Sequence, residues 1–356
     1  MSAKHVPTTP RRVVHLAEGK FSLRNSKMTT GVIRYSVHHS VAVIDSTQVG
    51  KTAQEVLGFG GDVPVIASLQ DSYKYKPEVL LIGITPPGGQ LPDYMRPMIL
   101  EAMSQGMDIW AGLHDFLSED AELTAAAARH GVKIWDIRKP GKKLPVGGGL
   151  CRWSKSYISL MVGTDCALGK MTVALEIDRV AKARGTHSEF VATGQCGIAI
   201  AGWGSPIDAI PGDFMAGCVE RDVMSVEGAD MILVEGQGAL MHPGFSSVTL
   251  ALIHGSCPDS LIMCHQLTRK EISNIKGITI PSLTEVLKGY VEMARLIKPT
   301  TLVGVAINTS GVPDDEARAA LKAAEAEMGV PATDVIRYGA EPLYDALMAH
   351  KKTIGK

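Results

Sequence analysis

The stretch that decides the reading of this chain is Gly163-Thr164-Asp165-Cys166-Ala167-Leu168-Gly169-Lys170-Met171-Thr172. The residues before it, Tyr157–Val162, are apolar and read as a strand, and those after it, Lys170–Arg184, carry a helical pattern. A glycine-containing turn from strand to helix is where backbone N–H groups wrap a phosphate, helped by the positive end of the helix. Gly169 permits close backbone approach and Lys170 brings a positive charge. The strict pattern G-x-x-x-x-G-K-[ST] is altered twice. Gly163 stands one residue early, and Met171 takes the place of the hydroxyl residue, with Thr172 one position later. The hydroxyl that would touch Mg²⁺ is displaced, so Mg²⁺ is not an expected cofactor, although this loop type admits it.

The alternation of strand and helix extends in both directions from the loop. Toward the C-terminus, strands are predicted at Glu189–Ala192, Met231–Val234, Leu261–Cys264, Thr301–Ile307 and Val335–Tyr338. Helices are predicted at Asp213–Val226, Ser282–Ile297 and Asp314–Met328, with Ser282 and Glu285 forming a capping box after Pro281. Toward the N-terminus, strands are predicted at Val13–Leu16, Val41–Asp45, Val63–Ala67, Val79–Ile84, Asp108–Gly112 and Lys133–Ile137. Helices are predicted at Asp93–Gln105 and Glu119–His130, the second with Ser118 as N-cap and Gly131 closing it. Repeated strand–helix–strand units imply parallel pairing, because parallel strands need long crossovers. The Pro-, Gly- and Lys-rich stretch 139–154, KPGKKLPVGGGLCRWS, breaks the pattern and reads as a linker. Two α/β domains are expected, 1–150 and 151–356.

Composition agrees. The 356 residues are 45% hydrophobic and 21% charged, as in a packed globular protein, which excludes disorder as the main state. A formal net charge of −1 argues against a general nucleic-acid coat, which needs a basic surplus. No apolar stretch reaches the ~20 residues of a membrane helix. The opening MSAKHVPTTPRR lacks the apolar core of a secretory signal. The six cysteines include no C-x-x-C pair, so neither a zinc site nor a disulfide framework is indicated, and no metal site is expected. Reduced thiols in a cytoplasm are the default. The expected partners are small-molecule substrates and further copies of the chain, with neither nucleic acid nor membrane.

Other strand ends carry chemistry-bearing residues. Val234-Glu235-Gly236-Gln237-Gly238 and Met241-His242-Pro243 follow an apolar strand, so Glu235 would lie in the crevice at the carboxyl ends of a parallel sheet. Ala192-Thr193-Gly194-Gln195-Cys196-Gly197 reads as a strand end and polar loop opening on that same crevice. Cys264-His265-Gln266 with Arg269 and Lys270 ends a further strand. Adjacent strand residues point to opposite faces, so Cys264 and His265 do not form a dyad. Asn308, Asp45-Ser46, Pro86–Gly89 and Gly112-Leu113-His114 also follow strands, and turn chemistry accounts for them equally well.

GTDCALGKMT together with Val234-Glu235-Gly236-Gln237-Gly238 resembles the dethiobiotin-synthetase branch of P-loop proteins. The loop, ATGQCGIAIAG (192–202), VEGQGALMHP (234–243), VTLALIHG (248–255), PDSLIMCH (258–265), TPPGGQLP (85–92) and WAGLHDFLSED (110–120) together resemble a two-domain family whose studied members are D-glutamate N-acetyltransferases. The resemblance covers nearly the whole chain. It implies a Rossmann-like N-terminal domain and a dethiobiotin-synthetase-like P-loop C-terminal domain with mainly parallel sheets. It implies acetyl transfer from acetyl-CoA to D-glutamate as the first step of D-glutamate breakdown.

That chemistry needs an anchor for a phosphate-rich co-substrate, a base for the ammonium and donors for the oxyanion. Lys170 and the backbone of 164–169 are the expected anchor within the cofactor-binding stretch Gly163–Thr172. Glu235, His242 and His265 are the base candidates. Gln195, Gln237, Arg269 and Lys270 are the substrate-binding candidates. A covalent acetyl-cysteine at Cys166 or Cys196 ranks below direct transfer, because no Cys–His pairing is visible in the sequence. Two other functions compete: an ATP/Mg²⁺-dependent ligase or kinase using Lys170, Thr172 and Glu235, and a non-catalytic nucleotide-binding module. The displaced hydroxyl at Met171 counts against the first. The density of polar strand ends counts against the second.

Overall fold

The computed structural model describes residues 9–84 and 86–356; the first eight residues of MSAKHVPTTPRR and Thr85 of TPPGGQLP lie outside the described residues. The chain forms two compact units. One comprises Gly141–Thr193 and Ile210–Lys356, and the other runs to Pro140 and also takes in Gly194–Ala209.

The second of these is built from β1 (Arg12–Leu16), α1 (Lys27–Tyr35), β2 (His39–Ile44), α2 (Ala53–Leu57), β3 (Val65–Ile66), β4 (Val79–Ile82), α3 (Met95–Ser104), β5 (Asp108–Ala111), α4 (Ala121–His130) and β6 (Ile134–Asp136). Its strands form one parallel sheet in the order β3-β2-β1-β4-β5-β6. The strands are apolar on both faces, as parallel strands covered by helices must be, and Val14, Leu16, Val43, Ile44, Leu80 and Ile82 lie in the core. Gly131 closes α4 in the left-handed conformation, as predicted, but the cap at its start is Asp120, whose side chain accepts from the Leu123 N–H. Ser118 instead donates its backbone N–H to Asp136 at 2.9 Å. The carboxylate two residues on is the better acceptor and starts the helix later.

The other unit contains β7 (Tyr157–Gly163), α5 (Lys170–Ala183), β8 (Ser188–Val191), α7 (Gly212–Met224), β9 (Met231–Val234), α8 (Ser246–Ser256), β10 (Ser260–Gln266), α9 (Leu283–Arg295), β11 (Thr301–Asn308), α10 (Asp314–Met328), β12 (Ala332–Thr333) and α11 (Glu341–Thr353). The intervening helix α6 (Gln195–Ala201) belongs to the unit of β1–β6, where it packs on α1. The sheet is parallel throughout, in the order β12-β11-β10-β7-β9-β8. Chain order reverses across β7, and in open parallel sheets ligands bind beyond the carboxyl ends of strands at such a reversal. The glycine loop leaves β7 at that end.

One strand is corrected here. Residues Val335–Tyr338 are a turn and not the last strand, which is Ala332–Thr333. Asp334 makes the turn, because its carboxylate accepts the N–H groups of Ile336 at 3.0 Å and Arg337 at 3.2 Å. The stretch read as a linker is pinned down over its second half, where Gly148 and Leu150 donate backbone N–H groups to the buried Glu220 carboxylate. The change of unit falls at Pro140/Gly141, within that stretch. No described helix is long and apolar enough to cross a membrane.

Candidate functional site

The loop after β7 is held at both ends. At Gly163, the buried Tyr290 hydroxyl from α9 donates to the carbonyl at 2.8 Å and accepts from the Leu240 N–H at 3.1 Å. Burial drives that phenol's pKa upward, so it stays a neutral donor. Thr164 donates its N–H to the Cys264 carbonyl at 3.1 Å, and its hydroxyl bonds His265 Nδ1 at 2.9 Å. Gly169 turns the chain into α5 with φ of +103°, a conformation glycine adopts freely. Ala167 also lies in the left-handed region, with φ of +54°, where a side chain is disfavoured.

Lys170 opens α5 and is 5% exposed. Its ammonium donates to the Asp165 carbonyl at 2.8 Å, and among the described residues it forms no ion pair. Burial lowers its pKa. Its aliphatic chain runs over Gly236, where an added Cβ would lie 1.7 Å from the Met161 carbonyl and 2.9 Å from Lys170 Cδ. Only glycine lets the strand end after β9 approach the loop this closely. That contact joins the two motifs Gly163–Thr172 and Glu235–Gly238 in space.

Asp165 is fully buried, and its carboxylate binds Arg269 Nη1 at 2.8 Å, the Ser273 N–H at 2.8 Å and the Ser273 hydroxyl at 3.1 Å. Burial alone would raise its pKa. The hydrogen bonds from Cys166, Ser273 and Arg269 outweigh that and hold it below the ordinary range. Arg269 Nη1 also donates to the Cys166 carbonyl at 2.6 Å, so this guanidinium clasps the loop. Lys270 is exposed.

Beyond β9, Glu235 is buried and its carboxylate accepts the Thr193 N–H at 2.8 Å. Gln237 donates its amide to the Thr193 carbonyl and hydroxyl, and its own carbonyl accepts from Thr249 at 2.7 Å. His242 is 3% exposed, its ring lies 4.6 Å from that of Phe245, and its Nδ1 accepts the Gly244 N–H at 3.1 Å. Its Nε2 is buried without a hydrogen-bond partner among the described residues and lies 4.0 Å from Asp165 Oδ1. One ligand-type atom each of Asp165, Cys166 and His242 lie within 4.8 Å of one another. The Asp165 carboxylate already holds Arg269, and Lys170 bonds the carbonyl of the same residue. One carboxylate against two cations favours an anion at this place over a metal ion.

Of the predicted residues, Gly163–Thr172, Glu235, Gln237, His242, His265 and Arg269 thus come together around the loop. Gln195 and Cys196 do not join them as members of that unit; they open α6 in the other one. His265 is pushed down to about 4, first by burial and then by Lys270 and Arg269, which makes it a weak base bonded to Thr164. Cys166 does have a histidine nearby, contrary to the expectation from sequence, since Cys166 and His242 are 76 positions apart and only folding pairs them. Tyr290 and Ser273 were not foreseen, because a tyrosine in an amphipathic helix and a serine in a loop carry no local signal of what they bond. Asn308 and Asp45 do make turns, each accepting the N–H two residues on.

Residues 146–344 match the family described as the DUF1611_C P-loop domain of unknown function, and residues 46–140 match its Rossmann-like companion, DUF1611_N. The chain belongs to this family. A crystal structure of a DUF1611 family protein from Anabaena variabilis is 38% identical, with a TM-score of 0.91 over 95% of this chain and 99% of that one. A D-glutamate N-acetyltransferase of Tritonibacter scottomollicae is 39% identical over 79% of this chain and 84% of its own. One from a Pseudoalteromonas species is 34% identical over 78% and 83%. The DUF1611 chain described here is an enzyme of the N-acetyltransferase class.

Proposed function

We propose that the enzyme transfers the acetyl group of acetyl-CoA to the amino group of D-glutamate, giving N-acetyl-D-glutamate as the first step of D-glutamate breakdown. The observation that carries this reading is the match to two relatives bearing that name over 283 and 277 residues. The geometry supports it in two ways. Among the described residues the buried Lys170 has no ion-pair partner, which suits it to a phosphate of CoA. Met171 leaves the magnesium-binding position of the loop without its hydroxyl, which favours a held phosphate over a hydrolysed one.

In this reading Lys170 and the N–H groups of 164–169 anchor CoA. Glu235 is the carboxylate that accepts the ammonium proton; His265, with its depressed pKa, suits positioning of Thr164. Arg269 is engaged by Asp165, so Lys270, which is exposed, is the cation open to a glutamate carboxylate. Gln237 lines the same strand end. The reaction belongs to the cytoplasm, on small-molecule substrates, in a homo-oligomer.

The test is direct. Purified protein is incubated with acetyl-CoA and D-glutamate, L-glutamate or D-aspartate, while CoA thiol release and N-acetylated product are followed. Release of CoA with N-acetyl-D-glutamate is the expected result. ATP hydrolysis with Mg²⁺ and no acetylated product would instead favour a ligase or kinase.

A further inference from the structure

His242 has a more specific part to play than that of a base candidate. The Gly244 N–H occupies the Nδ1 lone pair at 3.1 Å, so the neutral imidazole carries its proton on Nε2. That Nε2–H faces the loop, 4.0 Å from Asp165 Oδ1, and is the one polar atom of the ring without a partner. A buried donor left unsatisfied is unfavourable unless something else fills it. Beside it, Lys170 is a buried ammonium without an ion-pair partner among the described residues. Asp165 is one carboxylate facing two cations, and Arg269 and Ser273 already bond it. The place thus combines an excess of positive charge with an unmatched N–H.

We infer that His242 is an oxyanion ligand, whose Nε2–H donates to an anionic oxygen of the group that the glycine loop holds. The loop and Lys170 would grip the anion from one side, and the strand end after β9, through His242, from the other. That the anion is a phosphate of CoA rests on the proposed function; that it is an oxyanion does not. The donor is shut off from water in this conformation. Reaching it requires the loop around Cys166 to move, and the left-handed Ala167 gives that movement a residue to relax.

Three variants of position 242 separate the possibilities. His242→Gln keeps an N–H donor at nearly the same reach, and His242→Phe keeps the flat ring but no donor. Titration calorimetry with CoA and with inorganic pyrophosphate should show the wild type and His242→Gln within about threefold of each other. His242→Phe should bind both at least about tenfold more weakly. In the wild type labelled with ¹⁵N-histidine, the His242 proton should be found on Nε2 and should shift when pyrophosphate is added, a readout independent of activity and of any variant's folding. Unchanged affinity in a folded His242→Phe with a lowered kcat would overturn the inference in favour of a role in the chemistry. So would loss of the Nε2 proton on adding Zn²⁺, or a wild type that binds neither probe. A wild type that binds pyrophosphate but not CoA would uphold the oxyanion ligand and sink the acetyl-CoA reading.

Discussion

Lys170 is the residue on which sequence and structure bear most directly. Its ammonium is buried, bonds only a carbonyl among the described residues, and is held at a lowered pKa by burial. A buried charge without a counter-ion does little for stability. Lys170→Ala should therefore leave the melting temperature unchanged or raised, while CoA affinity measured by calorimetry falls at least about tenfold, the usual weight of a hydrogen bond from a charged group. Unchanged affinity in the folded variant would remove CoA from the loop. Lys170 was legible because glycine, lysine and the strand–helix junction form a local pattern. The place of Glu235 at a strand end was legible from the apolar run before it, which is β9. The state of His242 was not, since its tautomer depends on one hydrogen bond from Gly244. Tyr290, 127 positions from the Gly163 it ties down, left no trace in the sequence.

Elements with a clean period and a cap could be read almost to the residue. Met231–Val234 and Asp314–Met328 lie where they were predicted, and α9 starts at the capping box of Ser282 and Glu285. Ser282→Ala should lower unfolding free energy by about 1 kcal/mol in urea titration, because it leaves a helix N–H without its acceptor. A change below a few tenths would mean that packing alone sets the start of α9. The helices α1, α2, α6, α8 and α11 were not foreseen. In α6, Gln-Cys-Gly-Ile-Ala-Ile-Ala is buried nearly all round and shows no polar face to set a period. At β1, His15 is fully buried, bonds Ser40 at 2.8 Å and is pushed down to about 3 by burial. The unfolded chain binds this proton below pH 6.5 and the folded chain only near pH 3, so stability is whole above pH 6.5 and falls as pH drops through that window. Between pH 7 and 4.5 the loss from this group is about 2–3 kcal/mol. His15→Gln, which does not titrate, should show a correspondingly flatter pH dependence in chemical denaturation. An unchanged slope would place the acid sensitivity elsewhere, His265 being the next candidate.

At the scale of the molecule, two parallel sheets could be inferred from the alternation, since parallel neighbours need long crossovers and helices usually supply them. The assignment of 194–209 to the N-terminal unit could not, because it depends on α6 meeting α1 across more than a hundred residues. The same limit hid the approach of Cys166 to His242, and with it the question of how the acetyl group travels. Their proximity invites a covalent acetyl-cysteine. Its formation needs the thiol proton to leave before sulfur attacks the thioester. His242 cannot take that proton as it stands, because its Nδ1 accepts from Gly244 and its Nε2 already carries hydrogen. Direct attack by the amine, with Glu235 as base, is therefore expected although the cysteine is close to a histidine. Varying D-glutamate at several fixed acetyl-CoA concentrations should give intersecting double-reciprocal lines. Protein mixed with acetyl-CoA alone should show no added acetyl group on Cys166 by mass spectrometry, and Cys166→Ala should keep kcat within about threefold. Parallel lines, with an acetyl group trapped on Cys166 and lost on adding D-glutamate, would show that the thiol is activated after all, and that the imidazole turns away from Gly244 during turnover.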